Sequence, residues 1–156
     1  MTATVRLKDI ADALEMQMEE SSSYLDLDSG QVKFIDDYLL RKAEEFDQGD
    51  KAPDLPEWQK PDWEIAGRIV STDRFVHLPT KYDIHEWEIM NEFSSEFPNG
   101  LIRQELRDAI HGAGAFRNFK SAIRRHHVDS AWNDFREKAL RQIALDWCEE
   151  HHIPWE

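Results

Sequence analysis

Four basic side chains crowd one short stretch of the chain: Arg117, Lys120, Arg124 and Arg125, within AFRNFKSAIRR. Arg117, Lys120 and Arg124 recur at i, i+3 and i+7. On a helix over 115–125 they share one face, beside the face made by Phe116, Phe119 and Ile123. Gly112-Ala113-Gly114 stands just before them. A glycine reversal that opens into a helix N-terminus leaves backbone N–H groups free at the positive end of the helix dipole. A phosphate is the ligand for such a place, with Gly112 and Gly114 shaping the turn and the basic residues supplying charge. With Asn118 and Ser121 nearby, the same face has the composition of a DNA-recognition helix. No glycine-rich loop runs directly into a Lys-Ser/Thr pair, so this is not a nucleotide P-loop. The plainer reading is a helix–helix corner whose glycines allow a sharp reversal and close helix approach. Its basic face is then solvated, or paired with carboxylates of this chain or of a protein partner.

Other reactive residue types form no readable site. Of the seven histidines, His85 opens His-Glu-Trp-Glu, without the second histidine of a metalloprotease helix. His126-His127 and His151-His152 are adjacent pairs, whose side chains diverge on a helix. Cys148 beside Trp147 reads as a packed thiol, and as the single cysteine it excludes an intrachain disulfide. Carboxylates are so numerous that no acid–base pair among them has specificity. No catalytic residue, metal or cofactor is expected from these patterns.

Charge bears on the partner. The formal net charge is −13, and nearly all the excess acid lies in residues 1–66. Residues 103–125 run the other way, with Arg103, Arg107 and the four basic residues above against Glu105 and Asp108. Whole-molecule acidity repels nucleic acid and anionic membranes at long range, which disfavours nucleic acid as the partner. No apolar run reaches the ~20 residues of a membrane span, and the N-terminus lacks a signal-peptide pattern. A cytoplasmic protein is expected.

The elements that position these residues follow from periodicity. Leu7, Ile10, Ala11, Leu14 and Met18 predict a helix over 7–18. The period then drops to two around Leu25 and Leu27, and again at Val32 and Phe34, with Ser29-Gly30 between: a β-hairpin whose glycine supplies positive φ. Asp36 or Asp37 caps a helix carrying Leu39, Leu40, Ala43 and Phe46. Residues 48–62 hold Pro53, Pro56 and Pro61 and read as a stiff connector, with Trp58 and Trp63 anchored on the core. A helix over 62–70 and a strand over 74–78, a possible third strand of the sheet, come next. Asp83 with Glu86 predicts a capping box for a helix carrying Ile84, Trp87, Met90 and Phe93. Three helices close the chain. The first has Ile102, Leu106, Ala109 and Ile110 on one face and Gly112 as a positive-φ C′ residue. The second is the basic helix 115–125. The third, from Asp129, carries a stripe from Trp132 to Trp147. Phe116, Phe119 and Trp132 are predicted to be core.

Several segments together resemble a known group: LKDIADALEMQ, SSSYLDLDSGQV, LPTKYDIHEWEIM, AIHGAGAFRNFKSAIRR and WNDFREKALRQIALDWCEEHHI. They are similar to the bacterial uncharacterised protein family number 158. The block from Ala109 to Ser121 is its most specific part. The resemblance implies basic residues in many members where Ala113 and Asn118 stand here, which weakens an anion-binding role for this copy. It implies no activity. The expectation is an α+β protein, read as a single domain over 1–156. Its parts are a helix–hairpin–helix over 1–47, the connector over 48–62 and a mainly helical part over 63–156, with the N-terminal helix and hairpin packed on a C-terminal helical bundle. The expected function is a non-enzymatic acidic interaction module that binds a protein partner. The alternatives are a nucleic-acid or phosphate-ligand binder through helix 115–125, and an enzyme whose site is assembled from distant residues.

Overall fold

A computed structural model describes residues 2–47 and 49–156, so Gln48, the first residue of the expected connector, lies outside the description. The protein is α+β, with helices and a three-stranded antiparallel sheet. It divides into two compact units. Residues up to Thr80, together with Ala144–Glu156, form one; Lys81–Ile143 form the other.

The first unit is built on the hairpin. Strands β1 (Ser21–Asp26) and β2 (Val32–Asp36) pair with Ser23 opposite Phe34 and Leu25 opposite Val32. Gly30 has φ +73°, and a Cβ there would stand 3.0 Å from the Thr4 carbonyl oxygen. Ile35 is the buried residue of β2, whereas Phe34 points outward and is 37% exposed. Neighbouring strand residues face opposite sides, so only one of the two can be inside. The expected third strand is present as β3 (Phe75–His77), which pairs with β1 and gives the order β2-β1-β3.

One carboxylate ties this sheet to its turn. Asp26 is buried, and Arg74 donates to both of its oxygens at 2.7 Å. Ser29 Oγ and the Asp28 N–H also donate to it, at 2.8 and 3.0 Å. The Arg74 hydrogen bonds hold the Asp26 carboxyl well below the usual carboxylate range, against the opposing effect of burial.

Helix α1 (Leu7–Glu15) ends earlier than the apolar spacing suggested. The Met16 N–H already bonds to both the Asp12 and Ala13 carbonyls as the helix tightens, and the chain then turns into β1. Met18, expected on the apolar face, is 66% exposed. Asp36 caps α2 (Asp37–Glu45) by accepting from the Tyr38 N–H at 2.8 Å. Helix α3 (Lys60–Ser71) starts with Pro61 in its first turn, where the missing N–H costs nothing. Ile35, Leu39, Leu40, Ala43 and Ala66 make the core between these elements, with Trp63 packed against it and edge-on to Phe46. Trp63 is thus an anchor; Trp58, expected to be another, is 73% exposed.

The second unit is helical. The expected capping box fails: Asp83 lies within a short helix α4 (Lys81–Ile84), and α5 (Glu86–Glu96) starts afresh after His85 at φ +57°. Asn99 caps α6 (Gly100–Ala109), accepting from the N–H groups of Leu101 and Ile102. Ile110 closes that helix, so Gly112 stands one residue beyond C′, with the expected positive φ of +96°. Gly114, at φ +75°, starts α7 (Ala115–Arg125), and α8 (Asp129–Glu150) follows. Phe119 and Trp132 are buried, their ring centroids 4.8 Å apart, with Phe93 edge-on to both. Phe116, expected in the core with them, is 53% exposed. It lies in the first turn of α7 and walls an open groove instead of being covered.

Both adjacent histidine pairs are helix stops. At the end of α7 the His127 N–H bonds to the Arg124 carbonyl and the Val128 N–H to the Ile123 carbonyl. At the end of α8 the His152 N–H bonds to Glu149 and the Ile153 N–H to Cys148. These are Schellman motifs, whose C′ residue must be left-handed. His127 and His152 take that role at φ +54° and +56°.

Candidate interaction groove

The basic helix has different surroundings on its different faces. On one side of α7 lies a groove of about 450 Å³, bounded entirely within the second unit. Met90, Phe119, Ile123 and Trp132 give it an apolar floor, and Phe116 forms a wall. Lys120 and Arg124 stand on its rim, with Asn133 and Asp129 across from them on α8. Glu86 and Arg136 also line it, but they are engaged with each other. The Arg136 Nη2 meets Glu86 Oε1 at 2.6 Å, and its Nε meets the same oxygen at 3.2 Å. Among the described residues, Lys120 and Arg124 have no carboxylate within ion-pair distance.

The expected cluster of four cations therefore divides. Arg117, Lys120 and Arg124 are all exposed and unpaired among the described residues, and the last two line the groove. Of the alternatives for this face, pairing with carboxylates of the same chain is not seen for these three among the described residues. Arg125, 100° further round the helix, pairs with Glu105 at 3.2 Å, and His126 binds the same carboxylate. The hydrogen bond to His126, and then that to Arg125, hold the Glu105 carboxyl below its ordinary range. A second, shallower depression of about 380 Å³ lies there between α6 and α7, next to Asn118 and Ser121.

The glycines act on the backbone alone. A Cβ at Gly112 would meet nothing within 4 Å, and one at Gly114 only the Asn118 side chain at 3.6 Å. Close helix approach is therefore not their purpose; positive φ is. Asn118 turns back on the corner, its Nδ2 donating to the Ala113 carbonyl at 3.4 Å.

Cys148 is fully buried, and burial pushes its thiol up to about 11, so it is protonated and inert at neutral pH. Among the described residues no three of the His, Cys, Asp and Glu side chains are grouped to hold a metal ion. No described helix is long and apolar enough to cross a membrane. Sequence reasoning placed none of Met90, Asn133 and the Glu86–Arg136 pair at this site; the members of the pair are 50 positions apart and carry no local signal.

Residues 2–155 match the model of the Uncharacterised protein family (UPF0158). No curated protein and no solved structure matches the chain.

Proposed function

Because the chain belongs to an uncharacterised family, UPF0158, we propose from its own residues that it is a non-enzymatic module binding a protein partner through α7. One observation carries this reading: Lys120 and Arg124, unpaired, stand beside a half-exposed Phe116 on the rim of an aromatic-floored groove. An exposed aromatic next to unsatisfied cations suits an acidic protein surface with an apolar anchor. The described lining has no histidine, serine or cysteine to serve as a nucleophile with its base. All of the net charge of −13 lies outside residues 81–143, which hold ten basic and ten acidic side chains, so α7 faces its partner from a neutral unit. A cytoplasmic location goes with this reading.

Two measurements test it together. Capture from a native lysate with the full chain and with an Arg117→Ala/Lys120→Ala/Arg124→Ala variant is expected to yield a protein that only the parent retains. Duplex and single-stranded DNA are titrated against the same two proteins from low to physiological salt. A nucleic-acid binder would lose affinity with log slope of ~0.9 per phosphate neutralised on duplex DNA. Tight DNA binding at physiological salt that the triple variant lacks would replace the protein partner with nucleic acid.

A further inference from the structure

We propose that β2 is a pairing edge, and that two copies of this chain join antiparallel along it, Phe34 against Phe34, into one continuous sheet. This concerns the first unit and does not rest on the α7 groove. It starts from the phase of the ladder. The Asp26 N–H donates to the Gln31 carbonyl at 2.9 Å, so that pair is hydrogen-bonded. Bonded and non-bonded pairs alternate along antiparallel strands. Tyr24–Lys33 and Ser22–Ile35 are therefore bonded pairs, and Leu25–Val32 and Ser23–Phe34 are not. On β1 the groups of the second kind serve β3: the Leu27 N–H donates to the Arg74 carbonyl and the Leu78 N–H to the Ser23 carbonyl, each at 2.9 Å. On β2 the main-chain groups of Val32 and Phe34 point away from the sheet, and among the described residues nothing bonds to them.

The two edges of this sheet differ. Strand β3 has three residues and ends two residues before Pro79; shortness and proline both blunt an edge. Strand β2 has five residues and no proline, and its central Phe34 is exposed. Its own sequence then fits a second copy in one register. Antiparallel self-pairing is two-fold symmetric, so the register is set by the residue on the axis. With Phe34 on the axis, its N–H and carbonyl bond to those of its twin, the two rings lie side by side on one face, and Lys33 stands opposite Ile35. With Lys33 on the axis, two lysines would stand directly opposite each other, which is destabilising. With Val32 on the axis, Phe34 would face Gly30, whose N–H is already given to the Asp26 carbonyl and beside which the Thr4 carbonyl lies. With Ile35 on the axis, Val32 would face Tyr38, inside α2. The register that remains sets aromatic against aromatic, the favourable kind of cross-strand pair. The copy also brings the same unsatisfied edge, so one contact satisfies both.

The net charge of −13 on each chain opposes the encounter at long range, so the test is run at physiological salt, which screens charges beyond about 8 Å. Sedimentation equilibrium of the full chain is expected to give a mass that rises with concentration from the 18.4 kDa of one chain toward twice that value. Amide hydrogen exchange at Phe34 is expected to slow over the same concentrations, a measurement that needs no variant. Phe34→Glu and Phe34→Lys each change one exposed side chain, and each alone is expected to stay at 18.4 kDa with the circular dichroism of the parent. Mixed in equal amounts they are expected to associate, because the glutamate of one copy then stands directly opposite the lysine of the other. A parent that stays at one chain mass at every concentration overturns the proposal and leaves the edge to a foreign strand. Association with a Phe34 amide that still exchanges freely overturns it too, as does association that survives in either variant alone, or a mixture that fails to associate. None of these results decides the lysate capture above, so the two readings fail separately.

Discussion

Replacing His127 and His152 by glycine should stabilise the protein. Both hold left-handed backbone at the C′ position of a Schellman motif, at φ +54° and +56°. An L-residue in that region loses roughly 1–2 kcal/mol to the clash of its Cβ with the following carbonyl. Glycine removes the clash but frees the unfolded chain, returning about 0.5–1 kcal/mol. The side chains of both histidines are exposed, and among the described residues neither makes a hydrogen bond, so no contact is lost. The net gain is about 0.5–1 kcal/mol per site, and roughly double for both together. For a chain of this size that raises the melting midpoint by about 2–4 °C per kcal/mol. The assay is urea and thermal denaturation of the parent, the two single glycine variants and the double variant, with alanine at each site as control. Alanine keeps the Cβ and should gain nothing. Glycine variants that melt with or below the alanine variants would refute the argument, since the strain would then not reside in the backbone.

Two further outcomes follow from packing and charge. Phe119→Ala and Trp132→Ala should each cost ~3–5 kcal/mol, whereas Phe116→Ala should cost under about 1 kcal/mol; denaturant midpoints check all three, and a large loss at Phe116 would mean that the groove is closed. Asp26 binds its proton less readily in the fold than its ordinary value of 3.8, so its stabilising contribution is complete above that pH and fades as the pH falls below it. Asp26→Asn should cost about 2–3 kcal/mol at neutral pH, less than a fully buried pair because Arg74 is one-third exposed, and should flatten the acid limb of a stability–pH curve.

Much of the fold was legible because its signals are local. Gly30 between two alternating runs, Asp36 before an apolar face, and the stripe from Trp132 to Trp147 each set their own element. What failed depended on distant partners or on where a helix ends. Phe116 has the phase of a core residue, but its turn of α7 borders the open groove. The Asp83–Glu86 spacing mimics a capping box, yet left-handed His85 divides the segment. Arg124 and Arg125 look alike in sequence and face different neighbours, one the groove and one Glu105. The Asp26–Arg74 clamp spans 48 positions and shows no periodicity. The histidine pairs did carry a signal that went unread: each is followed by a β-branched residue, Val128 or Ile153, as the apolar partner of a Schellman stop.

The backbone of Val5 is held between the Pro154 carbonyl and the Glu156 N–H, at 2.9 Å each, and Ile153 is buried in the same unit. That has a consequence for vectorial synthesis. Residues 81–143 are contiguous, so one stretch of chain holds all that their unit needs, whereas the other unit draws on two separated stretches. The unit that is begun first cannot finish until residues 144–156 emerge. Until they do, the Val5 backbone lacks its Pro154 and Glu156 partners, and the strand-like pairing that ties α1 to the end of α8 cannot form.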